Sequence, residues 1–186
     1  MTISYDPISS KLLVQGYADM VIERIELGFM PYLLTFMFHA LAGKPASVAR
    51  QMEHEIERVY AKCLTRVFRN PANIDILNLP MWIVCPDYPV PKHEKSGVTE
   101  IALNDGRHAH AIGLMPTNSR MRGTLDEHFE ERQDLYAGPG RAIARVHAKP
   151  ITFSPAYAME YALKSLSRGR TNSDDMLILP RTYSEM

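Results

Sequence analysis

The 186-residue chain lacks an excess of either charge: 21 Lys and Arg balance 21 Asp and Glu, giving a formal net charge of +0 and a pI near 7.1. A neutral total excludes the uniformly basic surface that marks many nucleic-acid binders, so any polyanion would have to meet a local patch. Cysteine is scarce. Only Cys63 and Cys85 occur, far apart, which argues against a disulfide framework and a cysteine-built zinc site and fits a reducing cytoplasm. No apolar run approaches the roughly 20 residues of a membrane-spanning helix. The N-terminus, with Asp6 and early polar residues, lacks the basic-then-apolar pattern of a leader. The expectation is a cytoplasmic protein without membrane attachment. An internal repeat, an interdomain linker and a phosphate-binding Gly-x-x-x-x-Gly-Lys-Ser/Thr loop are also missing.

What is present is ordinary globular composition, 46% hydrophobic and 23% charged, in a length suited to one well-cored domain. We expect a single domain over residues 1–186, with a helical extension over 1–30 and a C-terminal tail over 170–186. Leu12, Leu13, Val21, Ile22 and Ile25 recur at helical spacing between Ser10 and Gly28. Pro31 to Phe38 is short, apolar and aromatic, and reads as a buried strand. With Ser47 as candidate cap, Val48, Met52, Ile56, Val59, Cys63, Leu64 and Val67 define the strongest helix in the chain. Its charged face, with Glu53, Glu55, Glu57, Arg58 and Lys62, is expected to be solvated surface. Met81 to Cys85 reads as a strand ended by Pro86-Asp87. Val98–Leu103 and Arg107–Met115 flank Asn104-Asp105-Gly106, a turn that closes antiparallel hairpins.

Thr124 is a candidate cap for a helix through Leu125 and Phe129, Ala142 to Thr152 reads as a strand, and Ser154-Pro155 opens a helix that runs to about Arg168 and stops at Gly169. Met176 to Leu179 is a candidate edge strand. The order predicts an α+β fold: a single antiparallel β-sheet of about five strands with helices packed on it.

Alternate strand residues share a face, so His108 and His110 emerge together while Ala109 points away. If the hairpin register brings Glu100 to the same face, one carboxylate and two imidazoles form a three-ligand divalent site of the kind that suits Mn²⁺ or Mg²⁺. A single His-x-His among 7 histidines is weak alone, and hydrogen-bonded strand histidines are the competing reading. Tyr157, Tyr161 and Lys164 stand four and three apart and project from one side of the last helix. A phenol near an ammonium and a metal-polarised phosphate is a nucleophile candidate, whereas half-buried packing tyrosines are the alternative.

In order along the chain, Leu33-Leu34-Thr35-Phe36, then Glu100 with His108-Ala109-His110, then Tyr161-Ala162-Leu163-Lys164 resemble the three motifs of the HUH (His-hydrophobe-His) endonucleases. That superfamily includes rolling-circle replication initiators, relaxases and single-strand transposases. The resemblance spans the first strand to the last helix and is nearest to the initiators, because transposases more often pair their tyrosine with Gln. Ala109 is smaller than the family's usual residue there.

The resemblance implies an HUH/Rep-like, RRM-like sandwich in which Glu100, His108 and His110 bind Mn²⁺ or Mg²⁺. It implies Tyr161 as nucleophile on single-stranded DNA, forming a 5′-phosphotyrosyl link, with Lys164 positioning the phosphate or the metal-bound water, and Tyr157 either as a second tyrosine or as a packing residue. Arg141, Arg145, Lys149, Arg168 and Arg170 would track the DNA backbone, and strand separation would need a host helicase. Other readings stay open on the same residues: a non-catalytic DNA-binding or regulatory protein of the same fold, a small single-strand DNA transposase, and a metal hydrolase whose nucleophile is water.

Overall fold

The computed structural model describes residues 7–87 and 107–181. Five strands form one antiparallel sheet: β1 (Met30–Phe38), β2 (Met81–Asp87), β3 (His108–Met115), β4 (Ile143–Pro150) and β5 (Leu177–Leu179), in the order β4-β1-β3-β2-β5. The helices are α1 (Pro7–Glu26), α2 (Pro45–Val67), α3 (Leu125–Glu131), α4 (Gln133–Tyr136), α5 (Pro155–Ala162) and α6 (Lys164–Ser167). This is the expected α+β architecture. No helix among the described residues is long and apolar enough to cross a membrane.

Period-2 side-chain alternation divides the sheet into two faces. Tyr32, Leu34, Phe36, Trp82, Val84, Ala109, Ala111 and Val146 point to one face and pack against α2, α3 and α4. Met81, Ile83, Cys85, Ile112 and Leu114 point to the other and meet Val14, Ala18 and Val21 of α1, Met159 and Ala162 of α5, Leu163 just after it and Leu166 of α6. The N-terminal helix therefore supplies part of the second core. At Gly113, between Tyr32 and Trp82 in the ladder, an added Cβ would meet the Leu34 side chain at 2.9 Å, so the absent side chain is what lets the first core close.

The N-cap position of α2 is Lys44, with Pro45 in the first turn, three residues before the expected Ser47 cap. Its charged face is more than solvated surface. Arg58 donates to the carbonyl of Tyr136 and Lys62 to that of Leu135, at the C-terminal end of α4, where cations offset the unpaired carbonyls. Glu53 and Glu57 pair with Arg181. Edge strand β4 is closed by a side chain: the Gln133 amide both accepts from Val146 N–H and donates to Val146 C=O, as a neighbouring strand would.

Two departures from the expected elements matter for function. Strand β2 continues through Pro86 to Asp87 instead of stopping at Cys85, because β5 pairs only as far as Val84 and leaves the outer edge free where proline has no N–H to donate. From His108 to Leu114 both edges of β3 are taken, by β1 and β2. The expected partner arm, Val98–Leu103, lies outside the described residues, and β3 is a central strand paired with distant segments.

Candidate metal centre

In the β2–β3 ladder Asp87 stands directly opposite His108, and Cys85 opposite His110. In the β1–β3 ladder Thr35 stands opposite His110. Directly opposed antiparallel residues share a face, so Asp87, His108, His110 and Thr35 converge at one end of the sheet. His108 Nε2 lies 3.1 Å from Asp87 Oδ2, His110 Nε2 lies 3.7 Å from the same oxygen, and the two Nε2 atoms are 3.1 Å apart. A triangle of these edges has the size of one face of a coordination polyhedron with ligand bonds of about 2.1 Å. Asp87, His108 and His110 are the group among the described residues that could hold a metal ion.

The surroundings prepare each ligand. His110 is buried, its side chain 5% exposed, and its Nδ1 meets Thr35 Oγ1 at 3.1 Å, which turns Nε2 toward Asp87. Burial, reinforced by His108 and Lys164, lowers its pKa to about 4, so the imidazole is neutral and its lone pair available at neutral pH. His108 is the more open ligand, with 29% of its side chain exposed. Burial alone would raise the Asp87 carboxyl; hydrogen bonds from His108, Lys164 and Ser165 overcome it and hold the group well below the usual carboxylate range. Asp87 is thus a buried anion at neutral pH.

The last helical region completes the site. The expected single helix breaks at Leu163 into α5 and α6, and Ser154 Oγ accepts from Tyr157 N–H at its start, as the Ser-Pro signature predicts. The break leaves Tyr161 and Lys164 together. The Tyr161 ring lies 5.1 Å from the His110 ring, centroid to centroid, and Lys164 Nζ is 4.7 Å from the Tyr161 ring centre. Lys164 Nζ also reaches Asp87 Oδ2 at 2.6 Å, and Ser165 Oγ donates to Asp87 Oδ1 at 2.6 Å. Tyr157, 70% exposed, is one turn away from this cluster, while Tyr161 is 41% exposed.

Of the residues singled out from sequence, His108, His110, Tyr161 and Lys164 are brought together. Glu100 lies outside the described residues. Asp87 was missed because Pro86-Asp87 reads as a strand terminator. The only signal was Asp87's even spacing from the Ile83 and Cys85 pattern. Of the basic residues, Arg145 and Lys149 share the site face with His147 between them, opposite Met37, Thr35 and Leu33 of β1. All three β4 side chains are exposed, so this half of the face is open beside the centre. Arg141 is turned away, donating to the Leu135 carbonyl.

Fold and site define a class: an open five-stranded antiparallel α+β sheet with an Asp-His-His centre at one end and a Tyr-Lys pair against it. Comparison with protein-family models, curated proteins and solved structures found no match for this chain.

Proposed function

We propose that this protein nicks and rejoins single-stranded DNA, using Mn²⁺ or Mg²⁺ held by Asp87, His108 and His110 and Tyr161 as the nucleophile. The observation that carries this reading is that the Tyr161 ring lies against both the His110 ring and the Lys164 ammonium. That arrangement puts a phenol, an ammonium and three side chains that could hold a divalent ion in one cluster. The ordered likeness to the HUH endonucleases supports the same chemistry.

A bound divalent ion supplies Lewis-acid polarisation of the scissile phosphate. Two imidazole nitrogens and a carboxylate oxygen would hold a borderline divalent ion such as Mn²⁺ more readily than a hard ion such as Mg²⁺. Attack needs the phenolate oxygen, so the Tyr161 proton passes to solvent as the new bond forms. The new P–O bond to Tyr161 forms as the bond to the 3′ oxygen breaks; that oxygen takes a proton from solvent, leaving a 5′-phosphotyrosyl link and a free 3′-hydroxyl. Rejoining runs the same exchange backwards. Lys164 holds the anionic phosphate. The strand would cross the open half of the site face, where Arg145, His147 and Lys149 repeat about every 6.7 Å. Exposed Tyr157 suits either base stacking or a second attack, and a helicase partner would supply the unpaired strand.

The test is incubation with labelled single-stranded oligonucleotides of varied sequence and Mn²⁺, followed by a denaturing gel. A covalent protein-DNA adduct is expected, lost in Tyr161→Phe and His108→Ala. No adduct across a broad set of sequences overturns the nickase reading, and cleavage that survives Tyr161→Phe transfers the role to Tyr157 or water.

A further inference from the structure

Asp87 presents two oxygens, and the start of α6 treats them differently. Ser165 Oγ donates to Oδ1 at 2.6 Å. Lys164 Nζ lies 2.6 Å from Oδ2, the oxygen that both imidazole Nε2 atoms approach. Ser165 is 1% exposed and firmly seated: the backbone N–H groups of Arg170 and Thr171 both donate to its carbonyl. Adjacent residues thus divide one carboxylate between a neutral donor and a cation.

We propose that the Lys164-Ser165 pair sets the metal affinity of the site through Asp87, with opposite signs. Ser165 is a positioning residue that fixes the carboxylate with Oδ2 toward the imidazoles; Lys164 competes with the ion for that oxygen and moves off it when the ion binds. The inference rests on reading Asp87, His108 and His110 as a metal centre. A hydrogen bond to the non-ligating oxygen holds the plane of a carboxylate, and loss of such an outer partner typically weakens metal binding about 10–100-fold. An ammonium within hydrogen-bond distance of the same oxygen repels a second cation, and at a buried carboxylate solvent screens that repulsion only in part. The displaced ammonium stays tethered beside the Tyr161 ring. Metal entry and release of a cation for the DNA phosphate therefore become one event.

The experiment is a calorimetric Mn²⁺ titration of the full chain and its variants, with thermal unfolding as the check on folding. Ser165→Ala is expected to bind Mn²⁺ about 10–100-fold more weakly. Lys164→Met is expected to bind on the order of tenfold more tightly while forming adduct more slowly, and Lys164→Arg to remain near the parent. A purely structural role for either residue predicts no gain in any variant. A folded Ser165→Ala protein with parental affinity, or Lys164→Met binding no more tightly than the parent, overturns the proposal. If Ser165→Ala fails to fold, the Lys164→Met titration decides alone. A parent that binds no Mn²⁺ removes both this inference and the metal centre, whereas Mn²⁺ binding without DNA adduct leaves the inference standing and removes only the nickase.

Discussion

Asp87 and His108 are direct partners across the β2–β3 ladder, with Oδ2 and Nε2 3.1 Å apart, although 20 residues lie between them in the chain. The carboxylate beside the two imidazoles therefore comes from the strand next to His108, at a register position where any residue would share the imidazoles' face.

The first prediction concerns this carboxylate. Asp87→Asn keeps the shape but removes the charge that Lys164 and the imidazoles face, so Mn²⁺ affinity should fall at least about 100-fold, beyond the usual effect of losing an outer partner. Stability should fall by about 1–3 kcal/mol as the buried hydrogen bonds lose their strong acceptor. Glu100→Gln measured alongside identifies the carboxylate: a larger loss of Mn²⁺ binding there than in Asp87→Asn would return the ligand role to Glu100.

The second is a pH dependence. The folded state holds His110 at about 4, whereas an unfolded histidine titrates near ~6.5. Between these values the unfolded chain takes up a proton that folded His110 refuses. Its contribution to stability is therefore complete above about 6.5 and declines as pH falls toward 4, by up to roughly 1.4 kcal/mol per pH unit. Urea unfolding in chelator at pH 7, 5.5 and 4.5 should show this decline, and His110→Gln should make it shallower, leaving the smaller part that half-buried His128 contributes. A slope unchanged in His110→Gln would refute the assignment.

The third concerns the open face. Arg145→Ala and Lys149→Ala should each weaken single-stranded DNA binding and lower the slope of log affinity against log salt by about 0.7. Arg141→Ala, whose guanidinium is committed to the Leu135 carbonyl, should leave that slope unchanged. Fluorescence anisotropy across a salt series measures both. Equal slopes in all three variants would put the DNA elsewhere.

The fourth uses the residue between the imidazoles. Ala109 faces the opposite side of the sheet, where with Val84, Pro86, Met52 and Ile56 it lines a cavity of about 230 Å³. Ala109→Val should fill part of that space and raise stability by about 0.5–2 kcal/mol, with Mn²⁺ affinity unchanged because the two faces pack separately. Thermal unfolding and metal titration check the two halves of this prediction; weaker metal binding would show that the faces are coupled.

Periodicity made most of the architecture legible. The 3.6-residue pattern from Val48 to Val67 and the apolar run from Pro31 to Phe38 are signals carried by neighbouring residues, and both elements form where those signals lie. The shared face of His108 and His110 is of the same kind, since alternation follows from backbone geometry alone. Pro86 misled because a proline ends a strand only where the missing N–H would be needed, and that depends on where β5 stops. The break at Leu163 was also hidden, because the apolar spacing continues through it.

By itself, then, the sequence determined which side chains ride on which elements: two imidazoles on one strand face, and a tyrosine and lysine near one helical end. Tertiary structure alone decided that Asp87 stands opposite His108, that Thr35 orients His110, and that Lys164 and Ser165 divide the Asp87 carboxylate. The reason is physical. Helical and strand periods are local properties of the backbone, whereas strand register and helix docking are settled by which long-range partners bury both faces of the sheet together.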